Sequence, residues 1–269
     1  MSGIRDFEYA AWQAAAASYA KSFSFATRQF VEPLLDAVAA GAGMTVLDVA
    51  CGPGVVSGQA AQRGAKTAGI DFSPEMIAIA KKSYPALNFH VADAEKLPFP
   101  DASFDVAIAN LGLHHFENPP KALAEIRRVL RPRGRLAYSK WVSQRDNPPY
   151  RAVLDALAAH GAMDIPMTAG HDANLGIDDL NRMVQAAGFT LDTAEMRPVE
   201  KIWRLPAGAD LIEVFEAATA RMAILLRGQT PQAMSKIRAQ VAQTLSRYAR
   251  DGTLEIPVRA FVVSATSTR

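Results

Sequence analysis

The residues best able to do chemistry recur through the first half of the chain, each where an apolar run ends. Asp48 closes "TVLDV", Asp71 closes "KTAGID", Asp93 follows "LNFHVA", and Asn110 closes "FDVAIAN". Between the first two lies "ACGPG", a turn of small residues holding Gly52 and Gly54 beside Cys51. Such a turn, passing from a strand into a helix, offers backbone N–H groups and the positive end of the helix dipole. Glycine there lets a ligand approach without meeting a Cβ. A carboxylate at the position of Asp71 can accept both hydroxyls of a ribose. Just beyond Asn110, His114 and His115 supply imidazoles able to take a proton near neutral pH. Taken singly, each residue has a plainer reading. Glycines serve turns, aspartates at strand ends cap helices, and a histidine pair can pack against a sheet edge or bond a backbone carbonyl. The joint pattern argues for a site: four polar strand ends in order, with a two-glycine turn after the first.

These residues meet only if the runs are neighbouring parallel strands, because an open α/β sheet binds its ligand outside the carboxyl ends of its strands. Between residue 44 and about residue 141 the chain alternates short β-rich runs with helical periods, as a helix-covered parallel sheet requires. Strands are expected at "MTVLDV", "KTAGID", "LNFHV", "FDVAIA" and "RLAYSKW". One helix starts at "FSPEM", with Ser73 as cap, Pro74 at the first helical position and Glu75 at the positive helix end. Another runs through "PPKALAEIRRVLRPRG", where Ala122, Leu123, Ile126, Val129 and Leu130 share a face and Pro132 with Gly134 stops it. Before this core, helices are expected over residues 7–20 and 24–40. After it come an inserted helix in "DNPPYRAVLDALAAHG", a capped helix in "GIDDLNRMVQAAGF", and a sixth strand at "TLDTAEMR". Two long helices over 210–227 and 231–250 follow, then a strand with its core at 258–263.

The bulk properties remove several function classes. A chain of 269 residues, 49% apolar and 21% charged, can bury a sizeable core and is read as one globular domain with elaborations. Lys and Arg number 29 against 27 for Asp and Glu, so the net charge of +2 gives no electrostatic case for nucleic acid. The one cysteine, Cys51, excludes an intramolecular disulfide and agrees with a reducing compartment. Charges at Arg5, Asp6 and Glu8 break what a signal peptide would need as an apolar stretch, and no run is long enough to span a bilayer. A soluble, cytoplasmic protein without integral membrane association is therefore expected. No metal is expected either: the five histidines lack H-E-x-x-H spacing, and His114 and His115, being adjacent, do not share a helix face. Cys51, inside the glycine turn with no base in view, reads as a small packing residue.

Four segments, "VLDVACGPG", "GIDFSPEMIAIAKK", "VADAEKLPFPDASFDVAIANLGLHHF" and "ALAEIRRVLRPRGRL", together resemble the class I S-adenosylmethionine-dependent methyltransferases, within the group similar to the ubiquinone and menaquinone biosynthesis methyltransferases. The resemblance covers about residues 44–141. It implies an α/β fold with a Rossmann-like, seven-stranded, mostly parallel sheet, an antiparallel last strand and a helical cap. The cofactor-binding core would then lie at about 41–142, and cap elements at about 1–40, 144–176 and 205–252 of a single domain. The chain departs from the family's D-x-G-x-G-x-G pattern where Ala50 replaces the first glycine, a mild change expected to leave binding intact.

Carried over by position, the resemblance implies S-adenosylmethionine as cofactor. Gly52 and Ala50 would pass under its amino acid part, Asp48 would buttress the turn, and Asp71 would hold the ribose hydroxyls. Phe72 and Met76 would pack near the adenine, with Asp93 accepting from its amino group and the Ala94 N–H donating to the ring. Asn110 and Leu111 would meet the methionine amino group, and Thr27 is a further candidate for the cofactor carboxylate. A nicotinamide dinucleotide is the competing cofactor. Its G-x-G-x-x-G fingerprint is not met, because the third glycine, Gly58, comes one residue late. A methyltransferase-like fold that binds its cofactor without turnover is the competing non-enzymatic reading.

The implied chemistry is in-line displacement at a sulfonium methyl, achieved mainly by holding the acceptor atom in line and excluding water. His114 and His115 are the candidate bases, useful where the acceptor still carries its proton. His160 and His171 lie in the inserted segment and are expected at the surface. A small-molecule acceptor would meet the cap, where Phe7, Tyr9, Trp12, Tyr19, Phe23, Phe25, Trp141, Tyr150 and Trp203 offer aromatic surface. The stripe Leu211, Val214, Phe215, Met222, Leu225 and Leu226 suits a lid, a homodimer contact or a membrane surface.

Overall fold

A computed structural model describes residues 4–164, 175–192 and 198–269. The elements, in chain order, begin with helices α1 (Ile4–Lys21), α2 (Ser24–Thr27) and α3 (Val31–Ala37). The alternating core follows: β1 (Thr45–Val49), α4 (Val55–Gln62), β2 (Lys66–Asp71), α5 (Pro74–Ser83), β3 (Asn88–Val91), β4 (Phe104–Ala109), α6 (Pro119–Val129) and β5 (Leu130–Trp141). Then come α7 (Pro148–His160), α8 (Ile177–Ala186), β6 (Phe189–Leu191), β7 (Val199–Pro206), α9 (Leu211–Ala218), α10 (Arg221–Arg227), α11 (Pro231–Leu245), β8 (Ala249–Arg250) and β9 (Thr253–Ser267).

The sheet order is β3-β2-β1-β4-β5-β9-β6. The first five strands pair in parallel, and β9 runs antiparallel between β5 and β6. Strands buried on both faces need apolar side chains in both directions, which is why β1 and β4 read as near-continuous apolar runs. Alternation along them feeds two cores. Val46, Val106, Ile108 and Ala137 face α3 and α4 with Val31, Leu34, Leu35 and Val56. Leu47, Val49, Ala107, Ala109, Leu136 and Tyr138 share the other core with Leu123, Ile126 and Val129 of α6 and with Leu180 and Val184 of α8.

The cap holds a third core, built from Phe23, Phe30, Val153, Leu157, Trp203, Phe215, Leu226, Ile237, Val241 and Ile256. Here the structure departs from the sequence-based expectation. Besides the seven strands there are two more: β7 and β8 pair antiparallel with the first half of β9. The strand expected around 258–263 is accordingly much longer. Its second half completes the main sheet, and its first half carries the cap ribbon. In "VEKIWRLP" the charged Glu200, Lys201 and Arg204 interrupt the apolar signal, so β7 is not evident by eye. Trp203 and Leu205 nevertheless point inward and are buried.

Two expected helices are broken and a third is shorter than expected. The helix expected over 24–40 divides into α2, a 3-10 turn (Arg28–Phe30) and α3, because Pro33 cannot donate to and clashes with the carbonyl four residues before it. The helix expected over 210–227 breaks after Ala218, where Thr219 adopts extended backbone and bonds its hydroxyl to the Phe215 carbonyl. The one expected over 231–250 ends at Leu245, and Arg250 lies in β8. The stripe running from Leu211 to Leu226 is covered within the chain: Leu211, Phe215, Met222 and Leu226 are buried in the cap core, with Val214 and Leu225 packed against it. That face is therefore used internally rather than left for a partner. Among the described residues, no helix is long and apolar enough to cross a membrane.

Candidate functional site

The turn between β1 and α4 is held by acids on both sides. Asp48, buried at the end of β1, accepts from the Ser57 backbone N–H at 2.9 Å and from its hydroxyl at 2.8 Å, pinning the first turn of α4. Burial pushes its carboxyl up to about 7, against the pull of those hydrogen bonds. Asp71, at the end of β2, accepts from the Gly52 N–H and the Ser73 N–H, each at 2.9 Å. Burial raises its carboxyl to about 6. Ser73 caps α5 by accepting from the Met76 N–H at 3.2 Å, and its hydroxyl bonds to Gln13 of α1.

Backbone conformation explains the residue types in the turn. Ala50, Gly52 and Gly54 have φ of 55°, 51° and 83°, all left-handed. Gly52 lines the cavity described below, and a Cβ there would meet nothing nearer than 3.9 Å. Gly54 has a different duty. Its Cβ would stand 2.8 Å from the Phe89 ring, so glycine is needed there for packing against β3. Ala50 carries a Cβ in a conformation that costs roughly 1–2 kcal/mol for an L-residue, which is why glycine is the commoner choice. Cys51 is buried, and burial pushes its thiol well above the ordinary range, as suits a packing residue.

At the end of β4 the Asn110 amide is already engaged. Its Nδ2 donates to the Thr27 carbonyl at 3.1 Å and its Oδ1 accepts from the Ser139 hydroxyl at 2.7 Å. The same hydroxyl accepts from the Leu111 N–H at 2.9 Å, holding Leu111 at φ 57°. A ligand amino group would thus meet backbone carbonyl here rather than side chain. The Thr27 hydroxyl pairs with the Tyr19 hydroxyl at 2.8 Å. Asp93 accepts from the Glu95 N–H at 2.9 Å, beside buried Ala94.

All of these tips meet at one cavity of about 990 Å³. Ala50, Gly52, Asp71, Phe72, Met76, Asp93, Ala94, Asn110, Leu111, His114 and His115 line it, as does Thr27, whereas Asp48 stands behind the turn. Of the nine aromatic residues considered for the acceptor, Trp12, Tyr19, Phe23, Trp141 and Tyr150 face the cavity. Trp203 lies in the cap core, while Tyr9 and Phe25 are largely exposed. His160 is exposed at the end of α7, away from the cavity, and His171 lies outside the described residues.

Sequence reasoning misses the charged cluster on the cap side. Glu8 of α1 is only 1% exposed and is held from three elements. The Trp12 Nε1 donates to it at 2.9 Å, the Arg221 guanidinium of α10 at 3.0 Å, and the His115 Nδ1 lies 3.1 Å away. Burial alone would raise the Glu8 carboxyl, but the charges and hydrogen bonds of His115 and Arg221 outweigh it and bring it down to about 2. The His114 and His115 rings lie 4.1 Å apart in a 3-10 turn (Leu113–His115). The only local hint of this cluster is the helical spacing of Glu8 and Trp12; the other partners are 107 and 213 residues away from Glu8. Among the described residues, no group of three or more His, Cys, Asp or Glu could hold a metal ion.

A glycine turn after β1, a carboxylate ending β2, and β9 antiparallel between β5 and β6 define a class I methyltransferase fold. The chain matches the methyltransferase domain family model over residues 47–138, which supports a class I S-adenosylmethionine-dependent methyltransferase. It is 48% identical over 90 residues to the demethylmenaquinone methyltransferase of Chlorobaculum parvum, a match covering 33% of this chain and 37% of that one. It is 39% identical over 127 residues to the enzyme of the same name from Renibacterium salmoninarum, covering 47% and 53%. The chain thus spans 37% and 53% of the length of these curated relatives. Among solved structures, the YcgJ protein from Bacillus subtilis matches with a TM-score of 0.55 at 17% identity, covering 89% of this chain and 98% of that one, a likeness of fold. S-adenosylmethionine is the cofactor of this class, and the residues present fit it: Gly52 leaves bare backbone on the cavity wall beside the Asp71 carboxylate.

Proposed function

We propose that the protein transfers a methyl group from S-adenosylmethionine to a small-molecule acceptor. The observation that supports this most is the convergence on one cavity of the Gly52 turn, the Asp71 carboxylate, the Asp93–Ala94 tip and the Asn110–Leu111 tip, together with aromatic side chains such as Trp12, Trp141 and Tyr150. In this reading Asp71 holds the ribose hydroxyls, Phe72 and Met76 flank the adenine, Asp93 and the Ala94 N–H read its edge, and the backbone at Asn110 and Leu111 receives the amino group. Asp48 supports the turn from behind. When bound, the cofactor supplies a methyl group activated on a sulfonium.

The chain's own residues would orient the acceptor, exclude water and move a proton. His115 is the base in this proposal. Glu8, anionic at any working pH, faces Nδ1 and fixes the ring, leaving Nε2 to take a proton from the acceptor. The His114 ring lies beside it at a tilt. The neutral charge balance argues against nucleic acid as the acceptor, and the lone buried cysteine suits a cytoplasmic protein. The test is thermal unfolding with S-adenosylhomocysteine and, separately, with NADH, since a ligand specific to the native state raises its stability. A shift with the first alone is expected. A shift with NADH alone would replace this reading with a nicotinamide-linked one.

A further inference from the structure

The cavity wall carries four Lys or Arg residues among those described: Lys140, Arg145, Arg221 and Arg259. Three have carboxylate partners. Arg221 pairs with Glu8 at 3.0 Å, Arg259 with Glu200 at 2.6 Å, and Arg145 with Asp155 at 3.7 Å. Lys140 is the exception: no carboxylate among the described residues lies within ion-pair distance of it. It is nevertheless half-buried, one residue before the end of β5 and opposite Phe261 of β9.

An ammonium withdrawn from water without a counter-ion is costly, and such a group is retained mainly where a ligand completes it. Burial, and secondarily the charge of Arg221, pull the Lys140 ammonium down to about 8. It therefore remains mostly charged near neutral pH while poorly compensated. Lys140 lines the cavity close enough to Arg221 of α10 to feel its charge, and the cavity is also lined by Trp12, Trp141 and Tyr150. Flat rings bounded by a single unpaired cation are complementary to a flat ligand with one negative end.

We propose that Lys140 is the acceptor-recognition residue of this cavity and that it pairs with the carboxylate of an aromatic acceptor. The assignment rests on the methyltransferase reading above, because it treats the cap side of the cavity as the acceptor site. Arg221, already committed to Glu8, contributes to the positive field without being the primary partner.

The test uses the full chain saturated with S-adenosylhomocysteine and two isosteric probes, 2-naphthoate and 2-naphthamide, titrated calorimetrically. Wild type is expected to bind the naphthoate at least about tenfold more tightly than the amide, the difference one charge-assisted hydrogen bond supplies. Lys140→Met should erase that preference by weakening naphthoate alone, and Lys140→Arg should restore part of it. Equal binding of the two probes to wild type, absence of naphthoate binding at millimolar concentration, or a preference that survives Lys140→Met would each overturn the assignment. S-adenosylhomocysteine affinity, measured first for all three proteins, separates the outcomes. If wild type fails to bind it, the methyltransferase reading falls; if all three bind it alike, the probe result bears on Lys140 alone.

Discussion

The two walls of the cavity are built by opposite means. On the cofactor side, acids are satisfied by backbone N–H groups a few residues along the chain or in the turn that follows the neighbouring strand: Asp48 by Ser57, Asp71 by Ser73 and Gly52. On the cap side, a charge is satisfied by side chains brought from distant elements, as Glu8 is by the Arg221 guanidinium and the His115 ring. The electrostatic outcome differs accordingly. Burial raises both acids of the first wall, to about 7 and about 6, while the cationic neighbours of the second take Glu8 down to about 2. A wall made of strand tips can be shared by many acceptor specificities, whereas one made of long-range ion pairs is particular to a chain.

The largest effect is expected from Asp71→Ala, which should weaken S-adenosylhomocysteine binding by about 1,000-fold, the loss of two charge-assisted hydrogen bonds. Calorimetry would show it, and an unchanged affinity would remove the ribose role. Glu8→Gln should leave that affinity nearly unchanged yet lower the unfolding free energy by about 2–4 kcal/mol, because Arg221 loses its buried partner. If instead it weakens the cofactor product as strongly as Asp71→Ala does, the division between the walls fails. Because the folded-state carboxyl of Glu8 lies near 2 and its ordinary value is 4.5, its stabilisation is complete above about 4.5. The gap between Glu8→Gln and wild type should close as pH falls from there toward 2.

His115→Ala should cut kcat about 100-fold with an acceptor that must lose a proton, and His114→Ala much less; unchanged turnover in both would leave positioning as the mechanism. Asp48→Asn bears on the first wall alone. A carboxyl raised to about 7 in the fold favours the folded state below its ordinary 3.8 and loses that contribution as pH rises toward 7. The substitution should therefore raise stability at pH 8 by about 1–2 kcal/mol and do little at pH 4, as thermal melts at the two pH values would show. The smallest effect is expected from Ala50→Gly, which relieves a left-handed alanine and should stabilise by about 1 kcal/mol. Destabilisation would mean that the Ala50 methyl contributes more to packing than its backbone conformation costs.

Much of the first wall is legible in the sequence because its causes are local. Apolar runs ending in polar residues fix β2 and β4 to the residue, and Ser73 with Pro74 marks the start of α5. Even there the reading has limits of a physical kind. Gly54 looks like ligand-facing backbone until the Phe89 ring is seen against it, and the Asn110 amide looks free until Thr27 and Ser139 are found holding it. On the second wall little is visible, since no window of sequence contains both Glu8 and Arg221. The break at Thr219 carries no proline or glycine, and β7 is recognisable as a strand only once β9 is known to lie beside it.

The 15 residues of β9 form one uninterrupted strand, roughly 50 Å from end to end. It is at once a middle member of the main sheet and the spine of the cap ribbon. A shared beam of this kind resists hinging, so the roof cannot swing away from the floor without bending a hydrogen-bonded strand. Among the described residues, α1 and α10 both place side chains on the chamber's lining, Glu8 and Arg221 among them. The Glu8–Arg221 pair that joins those two helices is a clasp between them rather than part of the frame.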